Sequence, residues 1–170
     1  MGGQRSNQIV EEYAVNFLDE DKMKTFLDFY DFLGKNKLGI VKTGRVINGS
    51  WAINYKNKKI GHFGISNNSF RIDYFDLFFR NKWFEKCEKH LSAELKDLIL
   101  THINTTGECC VRGTCHSIEN KNIFGKIFLN RVCACRPIVI INPDQKILEY
   151  VKELALIGKN IIAETAQNNI

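Results

Sequence analysis

Apolar residues recur along this chain at two different periods, and the changes of period mark its elements. Over residues 21–33, Met23, Phe26, Leu27, Tyr30 and Leu33 fall at the i, i+3, i+4, i+7 spacing of one helix face. Asp19, Glu20 and Asp21 supply an acidic first turn that suits the helix dipole, and Gly34 reads as the C-terminal stop. A shorter helix is expected over residues 8–18. From residue 38 to 75 the period drops to two. Trp51, Ile53 and Tyr55 alternate with more polar neighbours, as do Phe70, Ile72 and Tyr74, giving each strand one buried face. The breaks at Thr43-Gly44, Asn48-Gly49, Lys56-Asn57-Lys58 and Ser66-Asn67-Asn68 are rich in residues that tolerate positive φ, so they read as hairpin turns. This is an antiparallel meander of three to five strands.

The helical period returns over residues 82–103, where Phe84, Cys87, Leu91, Leu95, Leu98 and His102 share one stripe. A segment rich in Thr, Gly and Cys follows, within residues 104–136. Residues 123–128 and 137–141 look extended. Asn142-Pro143-Asp144 then reads as a helix start, with Asn142 as N-cap and Pro143 at the first helical position. The last helix is expected over residues 143–163, with Ile147, Val151, Leu154, Ile157 or Gly158, and Ile161 facing inward. The predicted fold class is α+β: an antiparallel β-meander packed on one face by helices, with a cysteine-rich loop.

Composition supports a single globular domain over residues 1–170. The chain is 44% hydrophobic and 25% charged, with twelve Phe, five Tyr and two Trp to build a core. Only two prolines occur, and no linker or repeat is visible. No apolar run approaches the ~20 residues of a membrane-spanning helix. The first residues lack the apolar core of a signal peptide, so a cytoplasmic location is expected. Met1-Gly2-Gly3-Gln4-Arg5-Ser6 fits the myristoylation pattern, against the plainer reading of a frayed start.

The net charge of +5 is unevenly spread. No acid lies between Asp31 and Asp73, a span holding Lys35, Lys37, Lys42, Arg45, Lys56, Lys58, Lys59 and Arg71. Residues 11–31 carry seven acids against Lys22 and Lys24. Basic strands beside Trp51, Tyr55, Phe63 and Phe70 allow weak nucleic-acid binding through phosphate contacts and stacking. The competing and preferred reading is a solvated outer sheet face, with lysines guarding its edges.

The meander carries Ser50-Trp51-Ala52-Ile53-Asn54-Tyr55-Lys56-Asn57-Lys58-Lys59-Ile60, a Trp-containing strand that leads into a Tyr-Lys-x-Lys-Lys turn. Together with Ile123-Phe124-Gly125-Lys126-x-Phe128, Cys133 and the Asn-Pro-Asp helix start, it resembles the small uncharacterised bacterial proteins of the YdhG and YjbR type. The likeness covers residues 20–160, by order of elements more than by motif. It implies a compact α+β fold of the kind also compared with iron chaperones, and it carries over no catalytic residue. The cysteines, and the lack of an acidic helix patch beside the sheet, depart from an iron-chaperone pattern.

Those cysteines are the main candidate chemistry. Five of six fall between residues 109 and 135: Cys109, Cys110, Cys115, Cys133 and Cys135, with His116 beside the third. The spacing C-C-x4-C-H, then C-x-C, matches no standard zinc-finger template. Thiolates gathered this closely bind a soft cation or pair with one another. A structural or metal-sensing zinc is the preferred reading, with Cys115, Cys133, Cys135 and one of Cys109 and Cys110 as ligands. Such a metal would order a segment with little else to hold it. Buried reduced cysteines, or a disulfide or redox pair, are the alternatives. Cys87 lies on an apolar helix stripe and reads as core. His62, His90 and His102 are lone histidines, and no Ser-His-Asp arrangement, P-loop, G-x-G-x-x-G or H-E-x-x-H is present. Catalysis by Cys115 with His116 ranks third. The expected function is thus a binding or interaction protein with a zinc site, and the alternative is a nucleic-acid-binding regulatory module.

Overall fold

The computed structural model describes residues 3–43, 49–74, 87–105, 117–118, 121–129, 132–133 and 138–167. The fold is α+β, as the change of period predicts. Two helices, α1 (Gly3–Phe17) and α2 (Glu20–Lys35), precede the meander β1 (Gly39–Lys42), β2 (Ser50–Tyr55), β3 (Lys58–Ser66) and β4 (Ser69–Tyr74). Helix α3 (Ala93–Thr101) follows, then four short strands: β5 (Ser117–Ile118), β6 (Lys121–Ile123), β7 (Lys126–Phe128) and β8 (Val132–Cys133). Strand β9 (Ile138–Ile141) and helix α4 (Gln145–Gln167) close the chain. The main sheet is antiparallel throughout, in the order β1-β2-β3-β4-β9.

The cross-strand register explains which residues are inside. Trp51, Phe63, Ile72 and Ile140 are successive partners across four strands, and all four are buried. The next row, Ala52, His62, Asp73 and Val139, points to the other face because strand side chains alternate. Between β2 and β3 the register shifts at Ile53/Asn54. That irregularity lets Ile60, out of phase with Phe63 and Ile65, reach the core as well. Both two-residue turns of the meander have positive φ at each position, Lys56 and Asn57 in one, Asn67 and Asn68 in the other. This is the type I′ pattern that matches the twist of a hairpin.

Helix α2 supplies the aromatic half of the core. Phe26 meets Phe70 edge-on at 5.5 Å, and Phe29 meets Phe63 edge-on at 6.3 Å. Its inward stripe is Phe26, Phe29 and Leu33, while Leu27, expected to face inward, is 39% exposed. At its start Asp19 is the N-cap, accepting from the Lys22 amide at 3.0 Å. Asp19 and Asn68 also exchange two hydrogen bonds, 2.9 and 2.8 Å, which tie the helix start to the β3–β4 turn. The stop is not Gly34. The helix runs to Lys35, and Lys37 takes the left-handed conformation at φ 56°. The Lys37 amide bonds Gly34 O and the Leu38 amide bonds Leu33 O, so the helix closes in a Schellman motif without glycine.

Helix α4 lies beside α2 and against β3. Lys152 reaches Asp28 with both carboxylate oxygens at 2.9 Å and Glu149 at 2.8 Å, and Gln145 donates to Asp28 at 2.9 Å. The expected cap Asn142 does other work. Its amide and side-chain oxygen both pair with Phe70, at 2.7 and 2.8 Å, extending the β4–β9 ladder. Asp144 caps α4 instead, accepting from the Ile147 amide at 2.8 Å. The helix expected over residues 82–103 is interrupted: Cys87 and Glu88 are helical, then Ser92 starts α3 as N-cap through the Leu95 amide at 3.2 Å. Residues 123–128 form a hairpin rather than one strand, with Phe124 and Gly125 turning at positive φ.

Two glycines, Gly49 just before β2 and Gly64 in β3, give a direct test of this geometry. Gly49 has φ +96°, and a Cβ there would sit 2.3 Å from Ile65 O and 3.0 Å from Tyr13. Gly64 would place its Cβ at ordinary contact, 3.5 Å from Gly49 O. Gly49→Ala should cost at least about 1–3 kcal/mol in denaturant unfolding, and Gly64→Ala should stay within about 1 kcal/mol of the parent.

The α2–α4 clamp predicts a pH profile. Hydrogen bonds from Gln145 and then Lys152 hold the Asp28 carboxyl below its ordinary value. Burial works against the Lys152 ammonium, but the bonds to Glu149 and Asp28 outweigh it and raise its pKa. Asp28 therefore contributes stability above the ordinary carboxylate range, lost as pH falls through its depressed value. Lys152 contributes below the ordinary lysine range, lost as pH rises through its raised value. Asp28→Asn should lower neutral-pH stability by about 1 kcal/mol and flatten the acid limb of a Tm-versus-pH curve.

Candidate functional site

The cysteine-rich segment is anchored at one described point, Cys133 in β8. It is fully buried, as is its neighbour Val132. Strand β8 pairs with β5 in the register Ser117↔Cys133 and Ile118↔Val132. The Cys133 amide donates to Asn104 O at 2.9 Å. Asn104, just after α3, and Ser117, in β5, therefore both lie against the same residue. Inside this ladder the β6–β7 hairpin folds back on itself, with Ile127 62% exposed and Phe124 half-buried against the main core. Phe124 has an aromatic ring at φ 50°, a conformation such residues rarely take. Core packing and the Lys96 ammonium, 5.4 Å from its ring centroid, hold it there.

Of the five cysteines singled out by spacing, Cys133 alone is described. Cys109, Cys110, Cys115 and Cys135, with His116, lie outside the described residues. Cys133 is disulfide-bonded. A sulfur so bonded has no thiolate to offer a metal. Among the described residues no three His, Cys, Asp or Glu side chains gather as a metal site.

Cys87 is a free thiol, fully buried on the helical stripe as expected. Burial pushes its pKa up to about 12. His90 is exposed, and His102 caps α3 with Nδ1 2.9 Å from Leu98 O.

The outer sheet face holds a polar group that the charge pattern alone did not reveal. Asp73 is 1% exposed, and Arg71 Nε lies 3.2 Å from its Oδ1. His62 is Asp73's cross-strand partner. Gly64, opposite Arg71, leaves the guanidinium room, with 3.6 Å to where a Cβ would stand. The available signal was the alternation itself: if Phe70 and Ile72 face inward, Arg71 and Asp73 share the outer face. Arg71 is thus committed to a buried carboxylate. Lys42 pairs in register with inward-facing Trp51, and its ammonium is 6.0 Å from the Tyr13 ring, whereas Lys56, Lys58 and Lys59 cluster at the far end of β2. Arg45 lies outside the described residues. Trp51, Phe63 and Phe70 are buried, so none of them is a stacking platform for bases, and Tyr55 is half-buried beneath Lys56 and Lys159.

No family model, curated protein or solved structure matches this chain. No helix among the described residues is long and apolar enough to cross a membrane.

Cys87 should resist a thiol reagent at pH 8 until the protein unfolds, because the thiolate that reacts is suppressed and sealed from solvent. Mass mapping after a timed alkylation would show it; labelling at the rate of a free peptide cysteine would contradict the buried stripe.

Proposed function

We propose that the protein is a binding or interaction protein whose cysteine-rich segment is a thiolate centre. In its reduced form it holds one structural or metal-sensing zinc through Cys115, Cys133, Cys135 and one of Cys109 and Cys110. The supporting observation is the closure at Cys133. The chain leaves at Asn104 and returns at Ser117, and both residues abut Cys133. The intervening segment carries Cys109, Cys110 and Cys115. Four thiolates can hold one tetrahedral ion at about 2.3 Å.

Cys133 offers zinc a thiolate only once its disulfide is reduced. Four thiolates leave zinc no open position, so the ion's contribution is folding energy and not chemistry on a substrate. Protein purified without an affinity tag, under a thiol reductant, should carry about one zinc per chain by elemental mass spectrometry. Chelation should lower its Tm. Fully reactive Cys109, Cys110, Cys115, Cys133 and Cys135 with no bound metal under those conditions would rule the site out.

A further inference from the structure

We infer that the open edge of the main sheet, strand β1, docks an extended acidic segment of a partner protein as an added antiparallel strand; this edge is separate from the thiolate centre. Strand β1 ends the sheet order, and among the described residues nothing pairs with its outer side. The hydrogen-bond phase identifies which groups face outward. The Thr43 amide bonds Ser50 O, so Thr43, Val41 and Gly39 direct their backbone groups at β2. Ile40 and Lys42 alternate with them, and their N–H and C=O groups point away from the sheet. An incoming antiparallel strand would exchange a pair of backbone bonds with each of these two residues. Ile40 also packs against the core, which holds the edge in place.

Charge and side chains say what the incoming strand must carry. The edge is exposed at Gly39, Val41 and Lys42, with Val41 52% exposed. Lys37 and Lys42 flank it, and no acid lies between Asp31 and Asp73. Among the described residues neither lysine has an ion-pair partner. The Lys42 ammonium stands 6.0 Å from the Tyr13 ring centroid, which keeps it beside the edge without neutralising it. An acid across from Lys42 gains an opposite-charge cross-strand pair. A β-branched residue across from Val41 covers its exposed side chain, at a non-hydrogen-bonded position where facing side chains come closest. A second copy of this chain is the poorer occupant. β1 against β1 would set two lysine-bearing edges without acids face to face, the charge arrangement by which edge strands repel one another. The same lysines attract an acidic strand.

A capped peptide, Glu-Glu-Val-Ile-Val-Glu-Glu, titrated into the full chain at low salt tests the edge, with Lys-Lys-Val-Ile-Val-Lys-Lys as control. Amide hydrogen exchange by NMR reads the site. The Ile40 and Lys42 amides should exchange freely in the protein alone and become protected with the acidic peptide. Val41 and Thr43 should be protected throughout. Lys42→Pro removes an outward N–H where an edge strand accepts proline, so it should abolish binding and leave Tm near the parent's. Lys42→Glu keeps that donor; it should weaken the acidic peptide by about fivefold and favour the lysine peptide. Equal binding of both peptides by the parent, protection confined to residues outside β1, or no binding at millimolar peptide would overturn the proposal. So would a dimer by sedimentation whose Ile40 and Lys42 amides are protected without peptide, since the occupant would then be a second copy. β1 and Cys133 lie in different sheets, so either result leaves the zinc reading unaffected.

Discussion

The structure depends on one constraint: the meander must bury a continuous aromatic row on a single face. Trp51 and Phe63 stack at 5.3 Å, and Phe63 and Phe70 pack at 6.4 Å. Phe26 and Phe29 of α2 close over them from above. Aromatic pairs of this kind add about 0.5–1.5 kcal/mol each beyond the area they bury. They also fix the register, since a slip by one residue would turn the whole row to the opposite face. The two I′ turns and the Asp19–Asn68 pair serve the same end, by setting where each strand and helix begins relative to that row.

Much of this was legible in the sequence because period is a local property. The alternation of Trp51 with Ile53, and of Phe70 with Ile72, named the inward face correctly. The helical stripes of α2, α3 and α4 were legible for the same reason. What the pattern missed lay where tertiary partners compete for a residue. Asn142 looks like a cap in isolation, but Phe70 claims both its amide and its side chain, and the cap passes to Asp144. Gly34 looks like a stop, but Lys37 can take the left-handed position because Leu38 packs into the core behind it. Phe124 does not look like a turn residue, and only core packing puts it at one.

The charge pattern was legible as a count and not as an arrangement. Lysines and arginines are concentrated between Asp31 and Asp73, yet among the described residues Lys42 lies at one end of β2 and Lys56, Lys58 and Lys59 at the other. Arg71 is held by Asp73, the buried acid that ends the basic span. Neutralising a buried carboxylate on the same strand face is a sufficient physical reason for an arginine there, since an unpaired buried charge costs several kcal/mol. His62 across the strand completes a polar row on a face whose centre is otherwise small, with Ala52 and Gly64 as neighbours.

The cysteines were legible as an inventory, because thiols gathered within one segment are rare without a reason. Their geometry could not be read from spacing, because the ladder that holds Cys133 is only two residues long on each strand. No period is detectable over two residues. The register Ser117↔Cys133 emerges only from the long-range pairing and from the bond to Asn104, which fix the two ends of the intervening segment to one point. A ladder this short supplies few hydrogen bonds of its own, and the Cys133 disulfide adds a covalent tie at that point.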